Sequence, residues 1–286
     1  MNILCVTDDK SGHVSQLRGL AEALGRLTPT DTRWQSIYQP SGLDPSFRPD
    51  LILGAGRRTH WPALKMKLRR GGRVVLLSKP TLPQWLFDLC VLPRHDGQQE
   101  SRRVVNTEGA LNPILPSTEA DPDRGLLLIG GPSNYYGWDT DSLVQQLLQL
   151  QASQPQIRWT LTTSRRTPDT FPAAIPQLRA AGIDVVPLEE TDHQWLLDHF
   201  RQCGVIWVTE DSVSMVYEAL SSGARVGLLQ MPLLKANRLS DSFRHLAEAG
   251  RLMQIGSADP TRQFAPLQEA DRIAKLLLAR WPAEQE

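Results

Sequence analysis

The chain has 286 residues, 41% of them hydrophobic, with 31 basic and 31 acidic side chains and a formal net charge of zero. Balanced charge excludes a dedicated nucleic-acid binder, which carries a basic excess, and the length suits two domains of ordinary size, each with its own core. Cys5, Cys90 and Cys203 are far apart and show no metal-ligand spacing, which excludes a zinc site or a disulfide framework and fits a reducing compartment. Met1-Asn2-Ile3-Leu4 leads into acidic residues, not into a long apolar segment. No apolar run approaches the roughly 20 residues that span a bilayer, so a cytoplasmic location is expected.

The first apolar run, 2–7, predicts a strand and leads into Thr7-Asp8-Asp9-Lys10-Ser11-Gly12-His13. Leu17, Leu20, Leu24 and Leu27 then recur at helical spacing and predict a helix over 14–27. His13 at the helix start can take a proton near neutral pH. Equally, Asp9 or Ser11 can cap the helix and leave His13 as an exposed polar residue. Strands are predicted at 33–38 and 50–54, the second leading into Gly54-Ala55-Gly56-Arg57-Arg58-Thr59. That loop begins like a dinucleotide fingerprint but lacks the third glycine, and no acid follows before Asp88. It reads as a tight turn, or as an anion contact through Arg57 and Arg58. A helix is predicted over 59–71, then strands at 73–78, 88–92 and 103–106. From Leu51 to Phe87 there are eight Lys or Arg side chains, two tryptophans (Trp61 and Trp85) and no acid. Such a stretch is either a contact with an anionic membrane through 57–85 or an ordinary solvated basic helix.

Residues 112–124, NPILPSTEADPDR, hold three prolines and small polar residues, and divide the chain into an N-terminal domain 1–115, a linker 116–124 and a C-terminal domain 125–286. The last helix, 266–281, is expected to pack back on the first domain. Strands at 125–130, 158–163, 183–188, 204–209, 224–230 and 252–255 alternate with helices at 139–153, 169–181, 192–202, 212–222 and 238–249. Val-, Ile- and Leu-rich strands alternating with helices predict an α/β fold of two doubly wound parallel sheets, with ligands at the carboxyl ends of the strands.

Three loops of the second half suit an anionic ligand. Gly130-Gly131-Pro132-Ser133 precedes a helix and lets a ligand approach the backbone. Asp139-Thr140-Asp141, formally a metal-type acidic pair, lies at a helix start and reads as capping. Ser164-Arg165-Arg166 offers two guanidinium groups, either to a diphosphate or to solvent. Asp211-Ser212-Val213-Ser214 opens a helix that carries Glu218 about two turns in; Asp211 or Ser212 can cap it.

The segments DDKSGHVSQLRGLAEAL, LGAGRRTHWPAL, FDLCVLPRHD, NTEGALN, LLIGGPS, TSRRTP and VTEDSVSMVYEALSSG resemble, in order, the bacterial branch of the mitochondrial-fission Elm family of glycosyltransferase-like proteins. The resemblance implies a GT-B-like architecture, two Rossmann-like domains facing across a cleft. It implies a second domain similar to the donor-binding domain of the UDP-GlcNAc transferase of peptidoglycan synthesis. Gly130, Gly131, Ser133, Ser164, Arg165, Arg166, Asp211, Ser212, Ser214 and Glu218 would then line a nucleotide-sugar site. His13, or else Asp9, would be the base for an acceptor hydroxyl, and Arg57, Arg58, His95 and Asp96 would face the acceptor side. Asp192-His193-Gln194-Trp195 replaces the Asn-Pro-Tyr of the family pattern, so base identity does not carry over. The implied activity is transfer of a sugar from a nucleotide-sugar donor, with inversion and without metal or other cofactor. The implied acceptor is a glycan or glycolipid such as a lipopolysaccharide core or a lipid-linked glycan, with peripheral contact at the inner face of the membrane. A nucleotide-sugar epimerase of the same fold and a non-catalytic adaptor are the alternatives. Arg166→Ala is expected to weaken donor binding with little loss of stability.

Overall fold

In the computed structural model, residues 1–39, 42–235, 238–256 and 265–282 are described, with the backbone alone at 238–240. The chain forms two units, one made of residues 1–113 with the segment from Gln268 onward, the other of Ile114–Leu267.

The first unit contains β1 (Asn2–Thr7), α1 (Ser11–Leu27), β2 (Asp31–Ser36), β3 (Leu51–Gly54), α2 (His60–Arg70), β4 (Arg73–Leu76), β5 (Leu89–Pro93) and β6 (Val104–Thr107), closed by α8 (Glu269–Arg280). Its six strands are all parallel, in the order β2-β1-β3-β4-β5-β6. Ile3, Leu4, Ile52, Leu53, Val74 and Val75 are buried because helices cover both faces of the sheet, which is why the central strands read as unbroken apolar runs. Strand β2 is the edge. Half of its residues are exposed and only Gln35 is buried, and pairing from Asn2↔Asp31 to Thr7↔Ser36 sets its bounds two residues earlier than its sequence pattern. Helix α8 packs on α1 through Ile273, Ala274 and Leu277, beside an Arg26–Asp271 ion pair of 2.5 Å.

The second unit contains β7 (Asp121–Leu128), α3 (Thr140–Ser153), β8 (Arg158–Thr162), α4 (Ile175–Ala180), β9 (Asp184–Val186), α5 (His193–Gln202), β10 (Cys203–Thr209), α6 (Val213–Ser222), β11 (Arg225–Leu229), α7 (Arg238–Glu248) and β12 (Met253–Gln254). The strands run parallel in the order β12-β11-β10-β7-β8-β9, the Rossmann arrangement of two halves wound outward from a central pair.

Two departures from the sequence pattern have local causes. The segment read as a linker, 116–124, enters the sheet at Asp121, where Asp121 pairs with Cys203 and accepts a bond from Arg158 at 2.6 Å; Ile114 already packs in the second unit's core. The helix read over 169–181 is a 3₁₀ turn at Phe171–Ala174 followed by the short α4, because Pro172 and Pro176 each fit a first helical turn but not a helix interior. Among the described residues no helix is long and apolar enough to cross a membrane.

Winding reverses between β1 and β3 in the first sheet and between β7 and β10 in the second. Loops leaving the carboxyl ends of those strands part there and leave a crevice, the usual ligand position of such sheets.

Candidate functional site

In the first unit, the loops after β1 and β3 meet around one ion pair. His13 Nδ1 lies 2.7 Å from Asp8 Oδ1, with the imidazole 27% exposed and the carboxylate 2%. Burial pushes the Asp8 carboxyl up, but the bond and charge of His13, with the amide and charge of Lys10, outweigh it and hold the group below its ordinary value. Gly56 completes the arrangement. Its φ of +87° favours glycine, and a Cβ there would overlap the His13 ring and approach Asp8 Oδ2. The close approach of Gly56 therefore seats the ring. With Nδ1–H donated to Asp8, the assigned tautomer leaves the Nε2 lone pair as a proton acceptor.

Neither Asp9 nor Ser11 caps α1; its N-cap is Lys10, with no side-chain capping bond. Asp9 sits in the left-handed region at φ +58° and accepts a 2.5 Å bond from Ser36 Oγ, which ties the loop to the end of β2. Arg57 is exposed, and Arg58 donates to Tyr38 Oη at 2.7 Å. His60, buried, meets Thr81 Oγ1 at 3.1 Å and Ser78 Oγ at 3.4 Å; burial, then the Arg57 charge, hold its imidazole below the ordinary value. His95 and Asp96 form a 3₁₀ turn after β5. Strand order places that turn three positions from β1, about 14 Å along the sheet at the usual strand spacing. Burial lowers the His95 pKa, opposed by Asp96.

In the second unit, the loops after β7, β8 and β10 lock together. The Asp211 side chain is fully buried; its Oδ2 accepts the Gly131 N–H at 3.1 Å and pairs with Arg166 Nη2 at 2.6 Å. Its Oδ1 is buried with no hydrogen-bond partner among the described residues. Arg166, 45% exposed, also donates to the carbonyls of Gly131 at 3.1 Å and Pro132 at 3.4 Å. A Cβ on Gly130 would overlap the Asp211 carboxylate, and one on Gly131 would strike the Arg166 backbone carbonyl. These glycines thus make room for the protein's own groups. Thr209 Oγ1 accepts the Gly130 N–H at 2.8 Å and Thr167 Oγ1 donates to the Gly130 carbonyl at 2.5 Å, finishing the lock.

What the lock leaves open is the start of α6. Ser212 is its N-cap residue but makes no side-chain capping bond. The amides of Val213, Ser214 and Met215 have no acceptor among the described residues. Unsatisfied first-turn amides carry the positive end of the helix dipole. Arg165, exposed, has no ion pair or hydrogen bond among the described residues. Ser214 is exposed and Glu218 half-buried one turn later on the same face of α6. Ser133 and Ser164 are spent on turns: Ser133 Oγ accepts the amides of Tyr135 and Tyr136, and Ser164 Oγ that of Arg166. Asp139 Oδ1 caps α3 by accepting the Ser142 N–H at 3.0 Å. Among the described residues no group of three or more His, Cys, Asp or Glu side chains is placed to hold a metal ion.

Beside the lock, Tyr136 and Glu210 line a cavity of about 320 Å³ with Leu228 and Gln254. Burial raises the Glu210 carboxyl, against the Met231 amide and helped by Asp211; burial, with Glu210 and Asp211, pushes the Tyr136 phenol up to about 12. Asp8, Thr167, Thr209 and Tyr136 are absent from the residues that the sequence pattern singles out. For Asp8 a signal exists: it directly follows the apolar 2–7 run, five residues before His13, whereas Asp9 lies one step further into the loop.

Two all-parallel Rossmann-like units, each with a polar cluster at its switch point, define a protein of the GT-B-like fold class. The chain belongs to the family described as Mitochondrial fission ELM1, whose model matches residues 11–281. A relative in Rickettsia prowazekii, the uncharacterized protein RP120, is 23% identical, with 97% of this chain and 98% of that one aligned. Among solved structures, UDP-GlcNAc 2-epimerase of Neisseria meningitidis bound to UDP-GlcNAc is 13% identical with a TM-score of 0.53, covering 99% of this chain and 92% of that one. The UDP-GlcNAc 2-epimerase of Methanocaldococcus jannaschii is 10% identical with a TM-score of 0.54, covering 97% and 99%. These similarities establish the fold.

Proposed function

We propose that this protein transfers a sugar from a nucleotide-sugar donor to a hydroxyl of a glycan or glycolipid acceptor, with inversion and without a divalent metal. The observation that carries the reading is the open α6 N-terminus beside the unengaged Arg165, at the switch point of the second sheet. Amides and a guanidinium there suit a pyrophosphate, whose charge grows as the glycosidic bond breaks. The Asp211–Arg166 lock fixes the loops that carry these donors, and Ser214 and Glu218 face the side where a ribose would lie. Arg166 then acts mainly as a positioning residue, with its exposed half turned to the ligand.

His13 is the proposed base. Its Nε2 takes the acceptor hydroxyl proton, the acceptor oxygen bonds to the sugar's anomeric carbon, and the bond from that carbon to the diphosphate breaks. The nucleoside diphosphate leaves with the electron pair. Asp8 orients the ring and stabilises the imidazolium, as a buried carboxylate partner does in other base dyads.

Incubation with UDP-GlcNAc tests the reading. Alone, the sugar should remain unchanged by NMR; with a lipid-linked glycan extract, UDP should be released, and His13→Ala should stop the release. An epimerised sugar forming without acceptor would replace this reading with isomerisation. Release of UDP at an undiminished rate by His13→Ala would remove His13 from the mechanism.

A further inference from the structure

The outward face of α2 is unusual for a soluble surface. Trp61 is 68% exposed and Leu68 88% exposed, one near each end of the helix, and Lys65 and Arg69 lie between and beside them on the same face. Lys65 and Arg69 are four residues apart with like charge and have no ion pair among the described residues, an arrangement that works against the helix itself. Lys67 and Arg70 differ: Lys67 pairs with Asp88 at 2.6 Å, and Arg70 is tied to the carbonyls of Asp44 and Phe47. The two cations that the fold does not use are therefore the two on the apolar face.

That face borders a groove of about 630 Å³ between α2 and the end of β2, lined by Ile37, Trp61, Leu64, Met66 and Leu68 among others. Its size is that of a small-molecule site, and none of its lining residues is acidic. The chain as a whole is neutral, yet the two charged residues that line this groove, Lys65 and Arg69, are both basic.

We propose that the α2 face of the first unit docks on an anionic lipid surface, with Trp61 and Leu68 inserted at the headgroup boundary, Lys65 and Arg69 on lipid phosphates, and an acyl chain entering the groove. An apolar contact alone holds a protein weakly and reversibly; combined with unpaired cations it supplies the two signals that stable attachment takes. Charge complementarity selects the lipid surface over another copy of the chain, since two such faces would bring four cations together with no acid between them. The proposal is independent of the transferase reading, because attachment needs neither donor nor acceptor.

Flotation of the full chain with phosphatidylglycerol-containing vesicles, without nucleotide, tests it. Binding is expected, falling steeply with salt because exposed charges are screened within about 10 Å at 0.1 M ionic strength. Pure phosphatidylcholine vesicles should bind far less. Each of Lys65→Ala and Arg69→Ala should weaken binding about 5-fold, the worth of one basic residue near an anionic leaflet. Leu68→Glu, at a site so exposed that folding is unaffected, should abolish it while the melting temperature stays unchanged. Equal binding to both vesicle types, or none to the anionic ones, would overturn the proposal. So would a concentration-dependent dimer in lipid-free sedimentation that Leu68→Glu dissolves, which would make the face a contact between copies.

Discussion

Arg166→Ala separates a ligand-binding arginine from a structural one. The sequence pattern alone anticipates weaker donor binding at little cost in stability. The structure changes the second half of that expectation, because Arg166 neutralises a carboxylate with no solvent exposure. Removing one partner of a buried pair typically costs about 3–5 kcal/mol, since the other charge is left uncompensated. Arg166 is itself 45% exposed, so part of that pairing is already screened by water, and about 2 kcal/mol is the expected loss. With a urea slope of about 2 kcal/mol/M, the midpoint should fall by about 1 M. Tryptophan emission reports mainly on the right unit: Trp159 and Trp207 are buried in the second unit, whereas in the first Trp34, Trp61 and Trp85 are exposed and Trp281 is partly buried. Asp211→Asn removes the charge while keeping an acceptor for the Gly131 amide. In that background Arg166→Ala should cost less than about 1 kcal/mol, giving a coupling of about 1–2 kcal/mol. Strictly additive effects, or a single variant as stable as the parent, would refute the view that Arg166 serves the lock.

Three further outcomes follow from the geometry. Gly56→Ala places a methyl group where the His13 ring lies and adds strain at φ +87°; turnover should collapse while nucleotide-sugar affinity, measured by calorimetry, persists. Asp8→Asn should lower kcat while nucleotide-sugar affinity persists, because the ring loses the carboxylate that orients it; an unchanged kcat would detach Asp8 from the base. His60 has a folded pKa below its ordinary value of 6.5, so its contribution to stability is present above that value and is lost as pH falls through the folded pKa. Denaturant melts should show the parent losing more stability than His60→Gln between about pH 7.5 and about pH 5.5.

Much of the fold is legible because parallel strands covered on both faces must be apolar throughout. Ile3–Val6 and Leu126–Leu128 announce themselves in this way. Legibility fails where an element is held by pairing and not by burial. Strand β2 is polar and little buried, so only its ladder with β1 fixes its bounds. Asp121 joins β7 through Cys203 and Arg158, partners distant in sequence, so a proline-containing stretch that reads as a linker becomes strand. At the site, residue type finds the right loops but not the roles within them. Asp8 and Asp9 are alike in sequence; one turns inward onto His13 and the other outward to Ser36. Gly130 and Gly131 suggest room for a ligand, and the structure fills that room with Asp211 and Arg166. Ser212, in the right place to cap α6, leaves its amides open.

The most direct test of the central claim is calorimetric titration of the full chain with a panel of nucleotide sugars in the presence of chelator. Saturable binding to at least one is expected, and Arg165→Ala, at an exposed position that leaves the fold and the Asp211–Arg166 lock untouched, should weaken it at least several-fold. A folded protein that binds none of them, or binds one equally well without Arg165, would contradict the assignment of a pyrophosphate to the start of α6.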